Sequence, residues 1–346
     1  MALVVFGSRV SLCRRRLRPC PASLGRLFSS VVADDPATCQ ASSSTSSIPA
    51  PVKIHSSLEH GCIDYARSWA WQQTLLSRRL AAKRKNNTDD SSSTDDEESD
   101  CIVFLEHHPV YTLGRGADES HLTFLQDTAK CREIRQKLGR KARGVGTARL
   151  AVDRRLDEES LLQRPMEEAV DRLAGLATPV TAPNGVPIFR VDRGGEVTFH
   201  GPSQLVVYPL LDLRRPPFQQ DLHWYLRMVE EVVIQTLGEY DIEGVRDEIN
   251  TGVWVGMDKV AAVGVSSSRW ITTHGFALNV SPDLSYFDTS IITPCGIEGR
   301  GVTSIAKVMT ERGDTNIPDL QDVAGVVVKA MEEVFQVQFE QGSTLR

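Results

Sequence analysis

Five short apolar runs crowded between Val186 and Val280 constrain this chain more than any other feature. They are VPIFRV (186–191), QLVVYPLLDL (204–213), GVWVG (252–256), KVAAVGV (259–265) and FALNV (276–280). Each is rich in β-branched or aromatic residues and sits near turn formers, which is the signature of strands. A helix is expected from Phe218 to Tyr240, where Leu222, Leu226, Val229, Val233 and Leu237 fall on one face. CIVFLE (101–106) and VYTLG (110–114) add strands around His107-His108-Pro109, and GVWVG with KVAAVGV predicts a hairpin turned at Met257-Asp258. Helical spacing is also present over 58–82, Leu161–Leu176 and Asp319–Phe335. Strands in runs with helices grouped apart predict an α+β fold rather than a regular βαβ array.

The attachments to this body are read from charge. Residues 1–33 hold six arginines and no acid, the composition of an organelle transit peptide. A mitochondrial address is expected, with a plastid address as the alternative. Residues 34–55 are Ser/Thr/Pro/Ala-rich and read as a disordered linker. A catalytic domain is then expected over 56–340, with disordered insertions near 83–100 and 137–160. The first insertion contains the acidic NNTDDSSSTDDEESD, which cannot bury enough apolar surface to offset its ordering entropy. The second is basic and Gly-punctuated.

The formal net charge of −6 argues against a nucleic-acid binder. No run approaches the roughly 18–20 apolar residues of a membrane helix, so no membrane role is expected. Seven cysteines occur without a CxxC pair, against a disulfide framework or a structural zinc site.

Four segments carry polar or glycine residues that a plain strand does not need. In RGGEVTFHGPSQ (193–204) two glycines allow close backbone approach to a ligand. It is no phosphate loop, lacking GxxxxGK[ST] and GxGxxG. An ordinary Gly-rich turn is the competing reading. In DKVAAVG (258–264) Lys259 opens an apolar strand, so its ammonium is either partly desolvated and fit for proton transfer, or reaches out to water. THGFALNV (273–280) leads a strand with His274-Gly275. In TPCGI (293–297) Cys295 lies between Pro294 and Gly296, a setting for a nucleophile with amide donors nearby or for a plain turn cysteine. One Cys and one Lys together suggest a dyad, since a positive lysine stabilises a thiolate. No GxSxG elbow or HExxH motif competes, and no metal site is expected.

EHHPVYTLGR (106–115), RGGEVTFHGPSQLVVYPLLDL (193–213), DKVAAVGV (258–265), THGFALNV (273–280) and TPCGI…VTS (293–304), in that order, resemble the motifs of the lipoyl(octanoyl) transferases of lipoate biosynthesis. The resemblance implies a biotin/lipoate-protein ligase-like domain with mixed β-sheets and flanking helices. It implies transfer of octanoyl from octanoyl-acyl carrier protein to a lysine of lipoyl domains, those of the 2-oxoacid dehydrogenase complexes and the glycine cleavage H protein, with no cofactor. Cys295 falls on the family's acyl-thioester nucleophile and Lys259 on the lysine that favours its thiolate. Substrate binding falls on Arg193, Gly194, Gly195, Glu196, Val197, Thr198, Phe199 and His200, then Ala262, Val263 and Gly264, then Gly275, Phe276 and Ala277. An ATP-dependent ligase on the same fold and a catalytically silent binding protein are the alternatives. Ser203 stands where the family's HGPGQ has Gly, so loop strain is expected if that residue has positive φ. Arg190, Arg193, Arg214 and Arg215 are expected to form a basic docking patch, because an acidic body cannot steer acidic partners by bulk charge.

Overall fold

Strand alternation decides how this chain layers. In chain order the strands are β1 (Val52–Ser56), β2 (Cys101–Leu105), β3 (Val110–Leu113), β4 (Val180–Thr181), β5 (Pro187–Arg190) and β6 (Val197–His200), then β7 (Gln204–Leu210), β8 (Val245–Arg246), β9 (Val253–Val255), β10 (Asp258–Ser268), β11 (Ile271–Asn279) and β12 (Phe339–Gln341). The helices are α1 (Tyr65–Asn86), α2 (Met166–Ala174), α3 (Leu222–Gly238), α4 (Ile305–Arg312) and α5 (Leu320–Phe335). The computed structural model describes residues 51–86, 99–125, 131, 132, 134, 138, 164–293 and 300–342. All of these fall within one compact unit, residues 48–346.

Among the described residues, an eight-stranded sheet runs β12-β1-β2-β7-β11-β10-β9-β8 and a four-stranded sheet runs β4-β5-β3-β6. Both are mixed: β1 is parallel to β2 and β12, and β3 to β5, while the other pairs are antiparallel. This is the α+β class with mixed sheets and flanking helices that the strand runs predict.

On β7, Leu205 and Val207 face one side of the large sheet, packing with Val229, Val233 and Leu237 of α3 and Val323, Val327 and Met331 of α5. Val206 and Tyr208 face the other side, with Leu75 of α1. Each such buried Val or Leu contributes roughly 1.5–3 kcal/mol. The small sheet has its own core, in which Tyr111, Ile188, Val197 and Phe199 meet Ile291 and Ile292.

Local chemistry sets the helix ends. Asp221 accepts hydrogen bonds from His223 N and Trp224 N and starts α3. Asp319 and Asp322 form a reciprocal capping box at α5. Ser304 caps α4, and Gly313 ends it with φ 96°.

Several boundaries differ from expectation. The linker expected to reach residue 55 stops short, because Val52–Ser56 is β1, paired on both sides by β2 and β12. The insertion expected from 83 begins later, since α1 continues to Asn86 and Lys83 pairs with Asp212. Asp100, at the insertion's far end, is buried against Arg79. The β9–β10 hairpin turns one residue early, at Gly256-Met257, because Val255 pairs with Asp258. The transit peptide, the linker before residue 51, the acidic run 87–98 and residues 139–160 of the basic insertion lie outside the described residues.

Candidate active site

The RGG turn is clamped between β3 of the small sheet and β10 of the large one. Arg193 Nη2 donates to Thr112 O at 2.9 Å, Thr112 Oγ1 at 2.8 Å and Glu196 O at 3.0 Å. Gly194 N donates to Val265 O of β10 at 2.9 Å. A Cβ on Gly264 would stand 2.8 Å from Gly194 O, so only glycine lets this turn lie on the strand.

A polar chain continues inward from Arg193. Thr112 Oγ1 meets His200 Nε2 at 3.4 Å, and His200 Nδ1 meets Gln204 Oε1 at 2.7 Å. Gln204 donates to Asn279 Oδ1 at 2.8 Å, and Asn279 to Thr303 O at 2.9 Å. Burial, with the nearby His107 and Arg193 charges, pushes the His200 pKa well down. The neutral ring therefore donates from one nitrogen and accepts at the other. His107 behaves alike: burial lowers its pKa to about 4. Its Nδ1 donates to Ile63 O at 2.9 Å while Nε2 accepts from the Tyr208 hydroxyl at 3.0 Å.

Lys259 is 7% exposed, so it does not reach out to water. Its Nζ donates to Thr251 O at 2.9 Å and lies 4.7 Å from the Trp254 ring centroid. Arg300 Cζ approaches the same ring at 4.5 Å and its guanidinium pairs with Asp247. The Lys259 backbone accepts from Thr303 N and donates to Gly301 O, each at 3.0 Å. Residues 294–299, with Cys295, lie outside the described residues. Both flanks are described: Thr293 N donates to His121 O at 2.8 Å, and the 301–303 stretch runs beside Lys259.

Two adjoining cavities occupy this region. The outer is lined by Gly195, Glu196, Val197, Asn250, Thr251 and Lys259 among others. The inner is lined by Gly264, Gly275, Phe276 and Ala277, with His200. Arg193, Thr198, Ala262 and Val263 line both and join them. The three distant stretches marked in the sequence thus meet on one wall. Ala262 pairs with Ala277 and Gly264 with Gly275 across the β10–β11 ladder, leaving a stripe of small residues on one face.

Two expectations need correction. Phe199 does not face the cavities; strand alternation sends its ring into the small sheet's core, stacked 4.6 Å from Tyr286. The basic patch does not form. Arg190 and Arg193 are buried and bonded to backbone carbonyls, while Arg214 and Arg215 pair with Asp212 and Asp100. Tyr65, Tyr208 and His274 complete the inner cavity; the first two were not among the expected site residues, and His274, singled out with Gly275, was given no binding role. Tyr65 lies in none of the motifs, and Tyr208, inside the 193–213 motif, read only as a residue of an apolar strand. His274 was visible beside Gly275.

Residues 171–332 match the family described as the lipoyl protein ligase A/B catalytic domain. An octanoyltransferase of Gloeobacter violaceus is 34% identical over 286 residues, 83% of this chain and 92% of that protein. The chain belongs to the octanoyltransferase family. An octanoyltransferase of Synechococcus elongatus is 36% identical over 82% of this chain and 88% of its own length. Octanoyltransferase LIP2p2, chloroplastic, of Arabidopsis thaliana is 35% identical over 82% of this chain and 79% of its own. A solved lipoate-protein ligase A bound with ATP aligns over 86% of this chain and 90% of its own at 13% identity, with a TM-score of 0.48. This octanoyltransferase is an acyltransferase of the lipoylation pathway, with the ligase-like catalytic domain that its motifs imply.

Proposed function

We propose that this octanoyltransferase works by a ping-pong cycle through an octanoyl-Cys295 thioester, with octanoyl-acyl carrier protein as donor and a lipoyl-domain lysine as acceptor. The observation that carries the reading is the position of Lys259. It lines the outer cavity, and its backbone holds the chain that follows Cys295. Two other cysteines make poor rivals as the thiolate, since burial holds the Cys62 thiol up at about 11 and the Cys101 thiol at about 12.

In the first half-reaction the Cys295 thiolate attacks the thioester carbonyl, the carrier's C–S bond breaks, and the Lys259 ammonium protonates the departing carrier thiolate. In the second, the acceptor amine attacks the octanoyl-Cys295 carbonyl, neutral Lys259 takes its proton, and Cys295 leaves as thiolate. Lys259 and Cys295 thus return to their starting states. The thioester is already activated, so neither ATP nor metal enters. The small-residue stripe of Ala262, Gly264, Gly275 and Ala277 takes the acyl chain, each buried methylene contributing about 0.8 kcal/mol. The acceptors are the lipoyl domains of 2-oxoacid dehydrogenase complexes and the glycine cleavage H protein. Residues 1–33 are read as an organelle address. The name of the Arabidopsis relative favours the plastid over the mitochondrion.

The test is to mix the protein with octanoyl-acyl carrier protein, without ATP, and weigh it intact. One octanoyl adduct is expected, discharged by added lipoyl domain. An adduct that persists on Cys295→Ala would displace Cys295 as nucleophile, and transfer that requires ATP would make the protein a ligase.

A further inference from the structure

His274 holds a backbone conformation that its side chain makes costly. Its φ is 59° inside β11, in the left-handed region that non-glycine residues rarely adopt. The residue is 1% exposed. Three contacts fix it there: its N donates to Gln72 Oε1 at 2.8 Å, its Nε2 meets Asp192 Oδ1 at 2.9 Å, and the Tyr208 ring stands edge-on at 5.9 Å. Burial pushes the Asp192 carboxyl up, but its bond to His274 and that ring's charge outweigh burial and hold it below its usual value. Strain of this kind persists where the surroundings over-determine a side chain.

The position of that side chain gives it a use. His274 lines the inner cavity but not the outer one, whereas Lys259 lines only the outer. Along β10, Ala262 lies where the two cavities join, and His274 pairs with Val265, three residues further from Lys259. Three strand residues span about 10 Å, of the order of an extended eight-carbon chain. Tyr208, on the same wall, is tied to His107 at 3.0 Å. A chain entering past Ala262 therefore runs between small residues and meets imidazole and phenol groups that already have partners.

We propose that His274 is the end stop of the acyl site and sets the longest chain this octanoyltransferase accepts. The proposal rests on the reading of these cavities as the acyl site. A ninth or tenth carbon would have to displace a ring held by Asp192 and Tyr208.

The experiment offers acyl-pantetheine thioesters of six, eight, ten and twelve carbons to the full-length protein and to His274→Gly, and follows acyl-enzyme by intact mass. Glycine suits φ 59°, so the change removes the imidazole without a backbone conflict. The ratio of twelve-carbon to eight-carbon acylation is expected to rise at least about tenfold, the scale on which pockets discriminate single methylenes. An unchanged ratio overturns the stop. Should His274→Gly fail to fold, His274→Asn carries the comparison at ten carbons, since Asn tolerates the same backbone region and is shorter. A wild-type protein that takes no acyl group from any thioester sinks the transferase reading itself, whereas an unchanged ratio sinks only the stop.

Discussion

Gly252 and Lys259 are fitted to each other: a Cβ on Gly252 would stand 3.3 Å from the lysine Nζ and 3.2 Å from its Cε. The same atom would sit 2.7 Å from Ala261 O, and Gly252 has φ 122°. Gly252→Ala is therefore expected to strain the backbone by about 1–3 kcal/mol and to move the amine. Octanoyl transfer should slow by about tenfold to a hundredfold, the cost of a misplacement near 1 Å. Urea unfolding and steady-state transfer rates check both halves. Unchanged values in each would show that Lys259 does not depend on this glycine.

Ser203 has φ 63°, which meets the condition under which a serine in place of the motif's glycine strains the loop. Its N donates to Glu106 Oε2 at 2.9 Å, which holds the turn in place. Ser203→Gly should raise the thermal midpoint, with a gain of up to about 1 kcal/mol once the greater freedom of the unfolded chain is set against the relieved strain. A lowered midpoint would mean that the serine is not strained.

Acid should destabilise the fold through His107. Its folded pKa, about 4, lies below the ordinary value of 6.5. The unfolded chain therefore takes up the proton first. The contribution is fully present above pH 6.5 and is lost as pH falls toward about 4, up to roughly 3 kcal/mol at 1.36 kcal/mol per unit. His200 acts in the same direction. Urea midpoints measured from pH 7 to 4 should fall less steeply in His107→Gln than in the wild type. Parallel slopes would remove His107 from the acid response.

Asp100 and Arg79 form a buried ion pair, with Arg79 Nη1 also donating to Leu210 O at 2.7 Å. The Arg79 side chain is 1% exposed. Asp100→Ala leaves that charge without its carboxylate and should cost about 3–5 kcal/mol. The double variant Arg79→Met, Asp100→Leu should recover most of the loss in chemical denaturation. Equal losses in the single and double variants would refute the pairing argument.

What the sequence made legible follows the range of the interactions involved. The five apolar strand runs of 186–280 and α5 were readable because period-2 and period-3.6 patterns are local, whereas β6 lay in a segment read as a Gly-rich turn and β8 was not expected. The motif glycines were readable because close backbone approach leaves no other residue type. β1 was not: VKIHS is half polar, and its strand state comes from β2 and β12, far along the chain. β11 begins five residues before the expected FALNV because Thr272 and Thr273 are buried and bonded in the sheet, which their polarity hid. Phe199 could have been placed correctly from alternation within VTFH, which separates it from Thr198 and His200. Tyr65 and Tyr208 could not, since only the folded chain brings the start of α1 against β7.

The ends of the large sheet bear on how the protein behaves at high concentration. Among the described residues, it finishes in β8, two residues long, and in β12, three. An open strand edge is a template on which another molecule's backbone can add, and brevity is one of the ways natural sheets deny it purchase. Removing Phe339–Gln341 would bare the five residues of β1 in its place. Tail truncation, made for convenience of expression, would thus convert a self-limiting edge into an adhesive one.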